Sequence, residues 1–389
     1  MSGQSKYQSL ECLHASAEVR SAYIHVPFCA HRCGYCDFTL ITDRDDLITN
    51  YLLALERELQ NLQHPGLLNT LYLGGGTPSY LQPDQLRRLF ALLRRWFDLA
   101  ADAEFTFEAN PIDLDQQKIS VLKDAGVNRI SLGVQSFHAE ALRMLERDHT
   151  PYDIHLVHER LQQQIPNISF DLIFAVPGQS ISIWSETLDE AIALGPRHIS
   201  TYCLTYEKGT AFWSRRKHGS LHQTSDDTER EMYALAIEKL QNSDYEHYEV
   251  SSFARSGCRS RHNQIYWQDR PYYGFGPGAA RYLDGVRQTN HRSVTTWIKK
   301  VLSTGAAIME SVQLDPEERA IERLLLGLRQ RDGIDVNQFA TETGLEIMQL
   351  RPAVINDHLT SGMLELNENR LRLTEEGLFF ADSVIVDLM

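Results

Sequence analysis

The sequence predicts an α/β chain built on a parallel sheet, followed by a small winged-helix-like α+β unit. Three observations predict it. Six short apolar runs alternate with helical patterns from about residue 20 to 250. A stretch rich in Gly, Arg and aromatics then interrupts the alternation, from 251 to 315. From 316 onward, three helical patterns and one hairpin complete the chain.

The predicted strands are SAYIHV (21–26), LLNTLYLG (67–74), AEFTFEAN (103–110), VNRISLGV (127–134), ISFDLIFA (168–175) and HISTYCLT (198–205). Each has the length of a buried strand. Between the first two, Ile48, Tyr51, Leu52, Leu55, Leu59 and Leu62 recur at helical spacing. PDQLRRLFALLRRWF opens with Pro83, where a helix start tolerates the missing N–H. Strand–helix repetition implies right-handed crossovers between parallel strands. The pattern alone leaves open whether the sheet is flat or curls into a partial barrel.

Residues 1–19 read as a tail, 20–250 as the core domain and 251–315 as a connecting region of extended segments and loops. Residues 316–389 read as the winged-helix-like domain. Its hairpin signal is Leu364 and Leu366, then Leu371 and Leu373, around Asn367–Asn369.

The chain has 389 residues, 42% hydrophobic and 23% charged, as in ordinary globular proteins. A formal charge of −14 opposes nonspecific binding to phosphate backbones. Residues 317–387 carry twice as many acidic as basic residues, so the winged-helix outline does not read as a DNA reader. No nucleic-acid partner is expected. No apolar run of about 18 residues exists, which predicts no transmembrane segment. The opening MSGQSKYQSLECLH has no apolar signal core. Cytoplasmic residence is the expectation, with peripheral membrane contact left open.

FCAHRCGYCDF places Cys29, Cys33 and Cys36 in a CxxxCxxC spacing just after the first strand. Three thiolates can hold three irons of a [4Fe–4S] cluster and leave the fourth open to a small chelate. A zinc site completed by His25 or His31, or three inert thiols, are the alternatives. Other strands end in Gly or polar residues: Gly74–Gly76, Glu108 with Asn110, and Gln135; Asp171 lies within the fifth. Together they describe the rim of one pocket.

YIHVPFCAHRCGYCDF, LGGGTPS, FEANP, SLGVQSF, DLIFAVPGQ and HNQIYW together resemble the HemN/HemW branch of the radical S-adenosylmethionine (SAM) superfamily. The resemblance covers nearly the whole chain. It implies a partial (β/α)6 TIM-like barrel with a [4Fe–4S] cluster on Cys29, Cys33 and Cys36. In that superfamily SAM chelates the open iron, and one electron cleaves its sulfonium bond to give a 5′-deoxyadenosyl radical.

The branch holds oxygen-independent coproporphyrinogen III dehydrogenases and heme chaperones. The dehydrogenase motif has a fourth Cys two residues after the third; here that residue is Phe38, as chaperone members typically have. The resemblance therefore implies heme binding and delivery to apoproteins, with the dehydrogenase as the alternative. Whether the chain is an enzyme stays open.

It also implies SAM contacts at Tyr23, Gly75, Gly76, Thr77 and Glu108. Positions matching a second SAM of the dehydrogenase are Tyr35, Gln135, Arg147, Asp171 and Thr205. In HNQIYW, His262 matches the histidine tied to heme, with Tyr266 and Trp267 beside it. On the residues alone His262 reads more readily as a satisfied core histidine, with Tyr266 and Trp267 as packing; the resemblance reverses that preference. Cys258 is the rival ligand, and Arg255, Arg259 and Arg261 are candidate partners of heme propionates.

Overall fold

A computed structural model of the chain describes residues 18–62 and 64–389. Most of the predicted tail, residues 1–17, lies outside them. Six strands follow one another in chain order: β1 (Ser21–Val26), β2 (Gly66–Gly75), β3 (Phe97–Ala109), β4 (Arg129–Gln135), β5 (Ile168–Phe174) and β6 (His198–Cys203). They pair in parallel, each with the next. Two short strands, β7 (Glu246–Glu249) and β8 (Ser252–Ala254), extend the β6 edge in antiparallel fashion. A third, β9 (Tyr273–Phe275), pairs parallel to β1. The result is a nine-stranded, mostly parallel sheet in the order β7-β8-β6-β5-β4-β3-β2-β1-β9. It is the α/β partial barrel that the resemblance implied and the strand pattern left open, with its two edges extended and not joined.

Helices α1 (Ile48–Leu59), α2 (Pro83–Arg94), α3 (Gln116–Asp124), α4 (Ala139–Met144), α5 (Pro151–Gln162) and α6 (Ile181–Leu194) fill the crossovers between these strands. Their ends follow local chemistry. Pro83 and Pro151 stand in first turns behind capping boxes at Gln82/Gln85 and Thr150/Asp153. Gly195 ends α6 in the left-handed conformation. Helices α7 (Ala211–Lys217) and α8 (Asp226–Gln241) follow β6. Apolar strand faces and helix stripes bury one continuous core, including Leu73, Phe107, Ile130, Phe170, Trp184 and Ile199.

The connecting region differs from its expectation. It carries two helices, α9 (Arg261–Trp267) and α10 (Val294–Thr304). In α10, Val294, Trp297, Ile298 and Val301 sit at i, i+3, i+4 and i+7 and are all buried. Ser293 caps its start and Gly305 its end. Those four residues join the same core as the barrel, with Trp297 against Tyr51 of α1. Strands β10 (Ala280–Leu283), β11 (Val286–Asn290) and β12 (Ile308–Gln313) make a separate antiparallel sheet.

The C-terminal unit has its own core, built on Leu324, Phe339, Ile355, Leu364 and Leu371 among others. The predicted hairpin is β14 (Leu364–Asn367) and β15 (Arg370–Leu373), joined by Glu368 and Asn369, both at positive φ. A short strand, β13 (Ile334–Asp335), adds to β15. Helices Pro316–Gly327, Val336–Thr343 and Pro352–Thr360 match the three predicted ones. Among the described residues, no helix is long and apolar enough to cross a membrane.

Candidate cofactor-binding site

The cysteine loop begins where β1 ends. Its neck is closed by paired backbone: Ile41 N–H donates to Pro27 O at 2.7 Å, and Cys29 N–H to Ile41 O at 3.1 Å. Arg32 donates to the Cys36 and Leu40 carbonyls from inside the loop. Phe212 of α7 packs against Gly34, where a Cβ would lie 2.4 Å from the ring, and its N–H donates to Gly34 O at 2.8 Å. Gly34 is therefore fixed by the close approach of α7.

Cys29, Cys33 and Cys36 are free thiols and line one cavity of about 440 Å³ at the C-terminal ends of the strands. Such a position is where barrel folds assemble sites. Thr77 Oγ1 lies 2.9 Å from Cys29 Sγ. Arg147 donates to Cys33 Sγ at 3.7 Å, and its other terminal nitrogen donates to Asn110 Oδ1. Burial pushes the Cys29 thiol up to about 12. A thiolate there needs strong cationic compensation.

The donor set fits a cluster better than a single ion. Among the described residues, no three His, Cys, Asp or Glu side chains converge around one metal position. A [4Fe–4S] cluster is a wider object, and each thiolate meets a different iron. This geometry disfavours the zinc alternative. His25 has no ring nitrogen to spare: Nδ1 meets Tyr23 OH at 3.0 Å and Nε2 the Thr39 carbonyl at 2.6 Å.

Behind the thiols stands Glu108. Its carboxylate accepts from Tyr72 OH at 2.7 Å and from Gly75 N–H at 2.9 Å. Burial raises its pKa, and those two donors oppose the rise. Asp171 accepts from Ser131 Oγ at 2.9 Å, and burial raises it to about 7. Arg147 Nε is buried and has no partner among the described residues, although the side chain lines the cavity. Gln135 and Glu146, both on the lining, have positive φ (62° and 55°). Backbone strain of this kind clusters where side chains are aimed at ligands.

The structure brings Cys29, Cys33, Cys36, Tyr35, Gly76, Thr77, Glu108, Gln135, Arg147, Asp171 and Thr205 onto one cavity wall. Tyr23, Gly75 and His262 are not on that wall. Gly75 is set by packing instead, since its φ is +112° and a Cβ would sit 2.4 Å from the His25 ring. Gly74 likewise clears the Glu108 carboxylate, at 2.7 Å from a would-be Cβ. Gly74 and Gly75 thus let neighbouring protein groups close in, while Gly76 lies on the cavity wall.

His262 is buried, 1% exposed. Its Nδ1 meets Thr70 Oγ1 at 2.8 Å and its Nε2 meets Tyr266 OH at 2.8 Å. Burial lowers its pKa to about 3, so the ring is neutral. In this arrangement neither nitrogen is offered to an external iron. The nearby arginines are also engaged. Arg259 pairs with Glu246 and Asp332, and Arg261 with Asp102. Arg255 stacks over Tyr245. Cys258 is not on the cavity wall.

Sequence reasoning missed much of the cavity interior: Tyr72, Arg129, Ser131, Ser200, Tyr202 and Asn263. A signal was present. Ser131, Gly133 and Gln135 alternate along β4, as do Ser169, Asp171 and Ile173 along β5 and His198, Ser200 and Tyr202 along β6. A period of two sets one strand face, and here that face looks into the barrel.

The chain is similar to known proteins over most of its length. Residues 23–191 match the Radical SAM superfamily, and residues 314–380 match the HemN C-terminal domain. The heme chaperone HemW of Bacillus subtilis (strain 168) is 36% identical over 371 residues, covering 94% of this chain and 98% of that protein. HemW of Mycobacterium tuberculosis (strain ATCC 25618 / H37Rv) is 34% identical over 94% of both chains. The mitochondrial radical S-adenosyl methionine domain-containing protein 1 of Danio rerio is 34% identical, over 95% of this chain and 86% of that one. The solved coproporphyrinogen III oxidase (HemN) of Escherichia coli shares the fold, with a TM-score of 0.84 over 95% of this chain and 90% of its own at 22% identity. Superfamily membership implies a [4Fe–4S] cluster and SAM, which the thiol-lined cavity fits. By full-length similarity and by the cysteine-bearing barrel rim, the chain belongs to the HemW family of radical SAM proteins.

Proposed function

We propose that the chain binds heme and passes it to heme-requiring apoproteins, with the [4Fe–4S] cluster and SAM as its resident cofactors. The observation that carries this reading is Phe38. It stands where the dehydrogenase resemblance requires a fourth cysteine, and its ring is 58% exposed on the lining of the cavity mouth. An exposed aromatic at a concave apolar rim suits a flat, apolar ligand. Leu40 and Ala30 continue that rim. The naming of the relatives as heme chaperones supports the same reading.

In this proposal Cys29, Cys33 and Cys36 hold the cluster. Gly76, Thr77 and Glu108 meet SAM, and Tyr35, Gln135, Arg147, Asp171 and Thr205 complete its pocket or hold a second copy. Tyr23 and Gly75 act behind that surface, shaping it through His25. When bound, the cluster supplies an electron and SAM a cleavable sulfonium bond. The residues of this chain orient SAM, exclude water and balance its charge.

The dehydrogenase remains the second reading, favoured by one observation: Asp171, on the cavity wall with the thiols, is raised by burial to about 7, where a carboxyl can exchange a proton. Incubating reconstituted protein with heme and, separately, with coproporphyrinogen III distinguishes the two. Retention of heme with unchanged coproporphyrinogen III supports the chaperone. Decarboxylation of coproporphyrinogen III supports the enzyme.

A further inference from the structure

The HNQIYW helix reaches the SAM pocket through its buried histidine. Glu104 accepts the backbone N–H groups of both Arg261 and His262 at 3.0 Å, which anchors the start of α9 to β3. The His262 ring is then held at both nitrogens, by Thr70 of β2 and Tyr266 of α9. Its face lies on Tyr72, with centroids 5.0 Å apart and planes 30° apart. Tyr72 in turn donates its hydroxyl to Glu108. Tyr72 and Glu108 both line the cavity, whereas His262 does not.

From this geometry we infer that His262 is a positioning residue of the SAM site: clamped by Thr70 and Tyr266, it fixes the Tyr72 ring, which aims the Glu108 carboxylate. The inference rests on Glu108 meeting SAM and is independent of where heme binds. Its physical basis is the rigidity of a doubly hydrogen-bonded imidazole. A ring tethered at both ends cannot rotate, so the aromatic face stacked on it keeps one orientation. Without it, Tyr72 can turn within the vacated space. The carboxylate then loses a directed donor in a site where an unsatisfied charge is costly.

The test is SAM binding to anaerobically reconstituted protein, measured by equilibrium dialysis at matched iron and sulfide content. Glu108→Gln is the control for the underlying reading. His262→Ala and Tyr72→Phe should each weaken SAM binding about tenfold, the scale typical of losing a group that orients a ligand-bearing side chain. The double variant should be no weaker than the poorer single variant, because both act through one hydrogen bond. Tyr266→Phe, which removes only the hydroxyl on Nε2, should give a smaller loss in the same direction and keeps the test alive if His262→Ala fails to fold. SAM affinity within twofold of wild type in whichever of these variants folds, while Glu108→Gln binds weakly, would overturn the inference. Additive losses in the double variant would do the same. Unchanged binding in Glu108→Gln would remove the reading on which it stands.

Discussion

The cysteine loop and the HNQIYW helix are both short motifs rich in potential metal donors, yet the fold treats them in opposite ways. The loop turns its three thiols toward one cavity and leaves them without disulfide partners. The helix buries its histidine and satisfies both ring nitrogens inside the protein. Residue type alone therefore does not make a ligand. What separates the two is whether the neighbouring chain already fills the donor's coordination. The thiols face the cavity with only weak sulfur contacts, from Thr77 to Cys29 and from Arg147 to Cys33, and their lone pairs stay available to a metal. Burial with partners is stable, and the imidazole has reached that state.

The comparison breaks most sharply at the thiols. Replacing Cys29, Cys33 or Cys36 with Ala should abolish the roughly four irons and four sulfides per chain, together with their charge-transfer absorption. Cys203→Ala and Cys258→Ala should retain both. Loss of cluster in the Cys203 variant would move a ligand to β6, since Cys203 also lines the cavity.

The next effect concerns the glycines. Gly75→Ala forces a Cβ into the His25 ring at a φ of +112°. It should destabilise the fold by about 1–3 kcal/mol, read from the denaturant midpoint. Gly126 also has positive φ, +87°, but a Cβ there meets nothing within 4 Å. Its alanine variant should cost only the backbone term, about 1 kcal/mol. Equal losses at the two sites would show that contact with His25 is immaterial.

A smaller effect depends on pH. Burial raises Asp171 to about 7 in the folded chain, above its ordinary value of 3.8. The folded state therefore favours the protonated form. The stability this group contributes is complete below about pH 4 and is lost as pH rises toward 7. In cofactor-free protein, Asp171→Asn should raise the melting temperature relative to wild type at pH 8 and leave it nearly unchanged at pH 4. A variant that is equally or less stable at pH 8 would show that the carboxylate is compensated in the cavity.

Phe38→Ala should have the smallest effect on stability, within about 0.5 kcal/mol, because the side chain is largely exposed. It should nevertheless weaken heme binding. Undiminished heme affinity would remove the aromatic rim from the proposed site.

Much of this arrangement was legible in the sequence. SAYIHV matches β1 at both ends, and the core strands carry the expected apolar runs. The CxxxCxxC spacing located the thiols because all three lie in one loop, and loop spacing survives folding. The start of β3 was not legible: FDLAAD before AEFTFEAN carries two Asp and is mostly exposed, yet its Phe97–Leu99 pairs with Gly66–Leu68. Helix α10 carries a legible period in Val294, Trp297, Ile298 and Val301, but the preceding stretch of Gly, Arg and aromatics masks it. For His262 the residues alone offered the core-histidine reading, but not its partners. Its partners Thr70 and Tyr72 lie far back along the chain on β2, Thr70 by 192 positions, and only the folded sheet brings them together.

The proposed heme handling rests on a radical SAM scaffold with Phe38 where the dehydrogenase has a fourth cysteine. Its most direct test is to give anaerobically reconstituted protein, with SAM and reductant, either heme or coproporphyrinogen III. Heme absorbance should be retained on the protein after gel filtration, while coproporphyrinogen III is recovered unchanged. Formation of protoporphyrinogen at a useful rate, without retained heme, would contradict the account and establish the enzyme in its place.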